Sequence, residues 1–224
     1  MPHLFHIVLL FAGFSVTKMS GDPSLSPGDP AGGQDLTVSY SIELKAKRKN
    51  TGIGETYNGG VETIFAGDRQ VRLRLVSLMR MQSIFILPDN PQRVTILKES
   101  GKDKYKCYLS DEEWKLYNQK YEGAVCRPTG DSIRILNYSC KKAILTLKNG
   151  KAITVYYTQA IQKPAISGVE PLFSAVPGLV LKYEYTFRKG TIVYTATMVT
   201  RSAIDPDAFA IPGNEFPLKK YTTP

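Results

Sequence analysis

From Leu36 onward, apolar and polar residues alternate with period two, the pattern of strands that bury one face. Thr37 to Leu44 shows it first, and Val71, Leu73 and Leu75 then alternate with Arg72 and Arg74. Ser83–Leu87 and Arg93–Lys98 follow around a Pro88-Asp89-Asn90-Pro91 turn, and Tyr105–Leu109 closes the front half. Further on, Lys142–Leu147 and Ala152–Thr158 flank Asn149-Gly150, the strongest short hairpin signal. Leu179–Phe187 places Leu179, Leu181, Tyr183, Tyr185 and Phe187 on one face and Lys182, Glu184, Thr186 and Arg188 on the other. A Lys189-Gly190 turn returns the chain through Ile192–Val199. One helix interrupts the series near 110–121. Ser110 stands at its N-cap, Glu113 three residues on completes a capping box, and Trp114, Leu116, Tyr117 and Tyr121 are its candidate contacts. The predicted fold is therefore mainly β, a curved antiparallel sheet with one short embedded helix and no βαβ rhythm.

Ahead of this pattern, Leu4 to Val16 is a predominantly apolar run, too short to span a bilayer and of the length of a secretory signal core. Residues 1–21 are thus expected to be a signal peptide or apolar leader. Residues 22–35 are rich in Pro, Gly, Ser and Asp and read as a flexible linker. Residues 36–224 then form a single antiparallel β domain, and the expected location is periplasmic or secreted.

Composition narrows the chemistry. The chain has two histidines, His3 and His6, and both lie in the leader. A Ser or Cys nucleophile would lack its usual base after processing. Neither a P-loop nor a G-x-G-x-x-G is present, and no spacing singles out a pair of carboxylates for glycoside hydrolysis. Asp111, Glu112 and Glu113 read as a solvated first helical turn. Cys107, Cys126 and Cys140 match no zinc spacing. In an oxidising compartment Cys126 and Cys140, which flank one loop-to-strand passage, are a candidate disulfide, with three separate buried thiols as the alternative. The expectation is a non-enzymatic protein with no metal and no cofactor.

The net charge of +9 raises nucleic acid as a partner, with Lys45 to Lys49 as the densest basic cluster. The aromatics, however, alternate as core or concave-face residues and do not form an exposed platform. A solvated basic face, or weak peripheral contact with an anionic membrane surface, is the preferred reading, and nucleic acid is not expected.

The second half also carries ordered motifs. Leu136-Asn137-Tyr138-Ser139-Cys140-Lys141-Lys142-Ala143 precedes Val155-Tyr156-Tyr157-Thr158, then Gly168-Val169-Glu170-Pro171, and finally Val176-Pro177-Gly178-Leu179-Val180-Leu181. This order resembles the GLPGLI family of exported Bacteroidetes proteins, with Asn137, Tyr156 and Ala175-Val176 as departures. Phe209-Ala210-Ile211-Pro212 is similar to the ending of related lipoprotein-carrier-like (LolA-like) domains. The resemblance implies a half-barrel whose concave face can hold hydrophobic material. On that basis Leu73, Leu75, Leu181, Tyr183, Tyr185 and Phe187 are the candidate ligand-binding residues, although core packing explains the same alternation. A hydrophobic ligand or an envelope protein is the expected partner. The alternative functions are a structural or chaperone-like accessory of an envelope complex and, third, a carboxylate-dependent hydrolase.

Overall fold

Alternation becomes structure in Leu36–Ala46 (β1), where Leu36, Val38, Tyr40 and Ile42 are buried between more exposed neighbours. The strands that follow are Val61–Ala66 (β2), Val71–Ser77 (β3), Arg80–Ile86 (β4), Val94–Ser100 (β5) and Asp103–Leu109 (β6). A helix, Asp111–Asn118 (α1), leads to Val125–Ile135 (β7), Tyr138–Thr146 (β8), Ala152–Thr158 (β9), Leu179–Phe187 (β10) and Gly190–Arg201 (β11). The computed structural model describes residues 35–46, 56–90, 93–163, 171–188, 190–213 and 215–221. The predicted leader at 1–21, residues 22–34 of the predicted linker, Lys47 to Lys49, Pro91, Gly168 to Glu170 and Lys189 lie outside the described residues.

All eleven strands join one antiparallel sheet in the order β6-β5-β4-β3-β2-β1-β11-β10-β9-β8-β7. Two meanders therefore meet at the β1–β11 pair, where Leu36 faces Arg201 and Ala46 faces Gly190. The edges are β6 and β7, which do not pair, so the sheet is open. Those edges are consecutive in sequence. Laid flat, eleven strands would be about 48 Å wide. The connection from Leu109 through the helix to Val125 reaches no more than about 40 Å. The sheet must curl to let that connection close, and the face under the helix is the concave one.

The main core lies on this face. It unites residues of both meanders, among them Tyr40, Ile64, Val71, Leu109, Leu145, Val155 and Leu181, and Trp114, Tyr117 and Tyr121 from the helical segment pack against it. The helix begins where predicted. Ser110 Oγ accepts from the Glu113 amide at 3.2 Å, and the Glu113 carboxylate accepts from the Ser110 amide at 2.8 Å. Such a cap contributes about 1 kcal/mol. At the sheet's middle, Tyr40 donates its hydroxyl to the Val180 carbonyl at 2.7 Å across the core.

A second, smaller cluster of Phe85, Leu97 and Phe216 lies on the convex face. The segment after β11 supplies Phe216. Arg72 ties that segment down by donating to the Ala208 carbonyl at 2.9 Å while its guanidinium sits 4.8 Å over the Phe85 ring. The segment then rounds the β6 edge, with the Lys106 amide donating to Pro217 and the Lys219 amide to Lys106. It ends on the concave side, where Tyr221 packs against Tyr117 at 6.4 Å. The last described residues are thus a strap that passes from one face of the sheet to the other.

Two local features depart from simple alternation. A bulge between Val180 and Lys182 leaves Leu179, Val180 and Leu181 all buried, where strict period two would turn Val180 outward. Another bulge interrupts β7–β8 between Pro128 and Ser132, beside Gly130 at φ 84°. Proline is tolerated there because β7 is an edge strand, with no partner on its outer side among the described residues.

Candidate functional site

Strand register lays two rows of side chains across the concave face. One row runs Glu62, Leu75, Gln82, Lys98 and Tyr105 over β2 to β6. The neighbouring row runs Ile64, Leu73, Ile84, Ile96 and Cys107. The second is apolar, whereas the first places a carboxyl, an amide and an ammonium group in positions whose strand neighbours face the core. Polar groups in that phase need a use or a partner.

Between these rows and the helical segment is a cavity of about 580 Å³. This lies within the range of roughly 300–1,000 Å³ that holds a small organic ligand. Leu73, Leu75, Ile84 and Ile96 form its apolar floor. Tyr117, Lys120 and Tyr121 line it from the helical segment, and Lys219, Lys220 and Tyr221 from the strap. Tyr57, Glu62, Arg80 and Tyr194 complete one end.

Glu62 is the anchor of that end. Its carboxylate accepts from the Tyr183 hydroxyl at 3.1 Å. The Tyr183 ring stacks on Tyr194 at 4.2 Å and 9° and meets Phe173 edge-on at 4.9 Å. Although Glu62 as a residue keeps some exposure, its carboxyl end is desolvated, and burial raises its pKa from 4.5 to about 7, partly offset by the Tyr183 hydrogen bond. Burial likewise pushes the Tyr194 phenol far up, with the Glu62 charge adding to it. Arg80 donates to the Tyr57 hydroxyl and lies 5.1 Å over that ring, and its Nε is buried without a partner.

The opposite end is cationic. Lys98 and Lys219 both approach the Tyr105 ring, at 5.7 and 5.0 Å, and Lys120 approaches Tyr117 and Tyr121 at 5.7 and 4.9 Å. Glu62 is the lining's one carboxyl among the described residues. Hydrolysis by two carboxylates needs a second acid about 5–9 Å from the first, and this cavity does not supply it.

The predicted residues fall in two groups. Leu73 and Leu75 line the cavity. Leu181 and Tyr183 are buried in the main core, and Tyr185 packs against it in partial exposure. Phe187, at the end of β10, is also partly exposed. None of these four belongs to the cavity's lining. Tyr183 reaches the site indirectly, through its bond to Glu62.

The expected Cys126–Cys140 bridge is corrected. All three thiols are free. Register places Cys126 opposite Leu145 and Cys140 opposite Ile133. Cys140 and Leu145 are about 17 Å apart along β8, whereas a disulfide needs Cα atoms within about 7 Å. Burial raises the pKa of each thiol above its ordinary value, which disfavours the thiolate.

No protein-family model matches the chain, and no curated protein matches it. Among solved structures, it is similar to an uncharacterized conserved protein from Thermus thermophilus, with a TM-score of 0.49 and 8% identity over 84% of this chain and 91% of that one. It is also similar to PNGF-II, with a TM-score of 0.46 and 20% identity over 84% of this chain and 31% of that one. MucB in complex with MucA(peri) matches with a TM-score of 0.42 and 16% identity over 80% of this chain and 54% of that one. The chain therefore spans about a third of the length of PNGF-II and about half that of MucB.

Proposed function

We propose that this is an exported, non-enzymatic envelope protein that binds a hydrophobic or acylated ligand in the concave cavity. The observation that carries the reading is the apolar floor of Leu73, Leu75, Ile84 and Ile96 beside the helical segment, in an open cavity of about 580 Å³. The same reading has the leader at 1–21 removed on export to the periplasm or beyond, leaving residues 36–224 as one domain. Kinship with the GLPGLI family belongs to it as well, supported by the order of motifs from Tyr138 to Leu181. Leu73→Trp is expected to fill the floor and to lower co-purified lipid several-fold relative to wild type, with the far-UV circular dichroism unchanged. Solvent extraction of natively purified protein and mass spectrometry measure this. Wild-type protein free of lipid, or a Leu73→Trp variant that retains as much as wild type, would contradict the reading.

Contact with an anionic membrane surface fits the same protein. The tip between β3 and β4 exposes Leu78 at 99% and Met79 at 59%. Arg80 faces Ser100 across β4–β5, so this tip and the β5–β6 turn, with exposed Lys102, share one end of the sheet, Lys104 there being paired with Glu99. Apolar side chains framed by cations suit an interfacial contact. Flotation with phosphatidylglycerol vesicles is expected for wild type and lost in Leu78→Asp; equal flotation of both would remove this contact.

A further inference from the structure

The cations of the cavity carry more information than its volume. Arg80, Lys98, Lys120, Lys219 and Lys220 line it, against the single carboxyl of Glu62. No ion pair among the described residues includes Lys98, Lys120, Lys219 or Lys220, whereas Lys104, Lys142 and Lys182 each have an acidic partner. Lys98, Lys120 and Lys219 instead lie over tyrosine rings. Ammonium groups gathered without an acid repel one another, and an anion placed among them relieves that repulsion.

Glu62 does not serve as that anion. It lies on β2 and Lys98 on β5, three strand spacings or about 14 Å away, and it is already bonded to Tyr183. Tyr221, beside Lys219 and Lys220 on the strap, has its hydroxyl buried with no hydrogen-bond partner. A donor buried without an acceptor costs free energy that an incoming oxygen anion recovers. The apolar floor begins next to this group, since Ile96 precedes Lys98 by two positions on the same face of β5.

We infer that the cavity takes an amphiphile with an anionic head, a carboxylate or phosphate held by Lys98, Lys219 and the Tyr221 hydroxyl, with its single apolar chain lying over Ile96, Ile84 and Leu73. This deepens the hydrophobic-ligand reading and rests on it. The strap supplies two of the head's three ligands, Lys219 and Tyr221, so this segment sets selectivity as well as covering the β6 edge.

Titrating full-length protein with laurate, dodecanol, dodecyltrimethylammonium and inorganic phosphate, each below its aggregation threshold, tests the inference. The only tryptophan, Trp114, stacks on Tyr117 of the cavity wall at 5.4 Å and gives a fluorescence signal. Laurate is expected to bind at least about tenfold more tightly than dodecanol, since a charge-assisted hydrogen bond contributes about 1.5–3 kcal/mol. The quaternary ammonium and phosphate alone are expected to bind far more weakly than laurate. In the double variant Lys98→Gln, Lys219→Gln, laurate affinity falls to that of dodecanol while dodecanol is unchanged. Equal binding of laurate and dodecanol by wild type overturns the anionic head and leaves the hydrophobic-ligand reading standing. Phosphate binding as tight as laurate overturns the amphiphile, and no binding by any probe overturns both readings.

Discussion

Replacing Gly178 with alanine is expected to cost about 3 kcal/mol or more of stability and to lower Tm by roughly 6–12 °C. A Cβ built there would lie 2.3 Å from the Thr158 carbonyl oxygen and 2.9 Å from the Tyr157 ring. Neither neighbour can retreat. Thr158 is paired with Leu179 in the β9–β10 ladder, and Tyr157 is a buried core residue. The turn itself is also pinned, because Lys163 Nζ donates to the Phe173 and Val176 carbonyls at 2.9 and 2.6 Å. Relief therefore requires moving β10 away from β9 at the point where their pairing begins. Glycine serves here through close backbone approach, and not through a left-handed conformation as at Gly150. Gly213→Ala, whose added Cβ would meet nothing within 4 Å, is the neutral control. Urea unfolding measures both, and a Gly178→Ala midpoint equal to that of the control would remove the argument.

The second large effect is a pH dependence centred on Glu62. Its folded pKa of about 7 lies above the ordinary 4.5, so the folded chain holds this proton more tightly than the unfolded chain. The stabilisation is fully present below the unfolded pKa and is lost as pH rises through the folded one. Wild type is expected to lose up to about 3 kcal/mol between about pH 4.5 and pH 7, and little from this group beyond. The groups facing the carboxyl are Tyr183 of β10, Tyr194 of β11, Tyr57 ahead of β2 and Arg80 of β4. Of these, burial pushes the Tyr194 phenol further up, away from this window. Glu62→Gln keeps an acceptor for Tyr183 and removes the titration. Its urea midpoint is expected to be nearly level from about pH 5 to about pH 8 and to exceed that of wild type at the upper end. Parallel pH curves for the two proteins would show that Glu62 does not titrate in this range.

Much of the architecture is legible in the residues themselves. The strands β1, β3 and β10 show their alternation because one face packs while the other meets solvent, and the capping box marks the start of α1 to the residue. Two strands escape such a reading. β2, reading Val61 to Ala66, interrupts its apolar phase with Glu62, and β7 contains Pro128 and Gly130, which signal a loop unless the strand is known to lie on an edge. The Val180 bulge is equally hidden, since both registers of that strand are apolar at Leu179 to Leu181.

The site is less legible than the sheet. Its lining comes from segments as distant as Tyr57, Lys98, Tyr121 and Lys219, so no local spacing could gather them. A local signal does exist. Glu62 is in phase with Ile64 and Ala66, Gln82 with Ile84 and Ile86, and Lys98 with Ile96 and Val94. Three polar residues in the buried phase of three strands mark a place where the core stops being a core.

The β1–β11 pair has a consequence for how the chain folds. Within each meander, every strand pairs with a neighbour in sequence, so both halves can form from short-range hairpins. The halves join only when Leu36 finds Arg201, across most of the chain. Closing so long a loop places the domain among the slow folders, on a scale of about milliseconds to seconds. During synthesis the interval is longer, because β1 waits roughly ten seconds or more for β11 to be made. Throughout that wait the Val38, Tyr40 and Ile42 stretch has one bare strand edge at what becomes the middle of the sheet. The hazard of strand-to-strand association is therefore greatest in the nascent chain and ends when its last strand arrives.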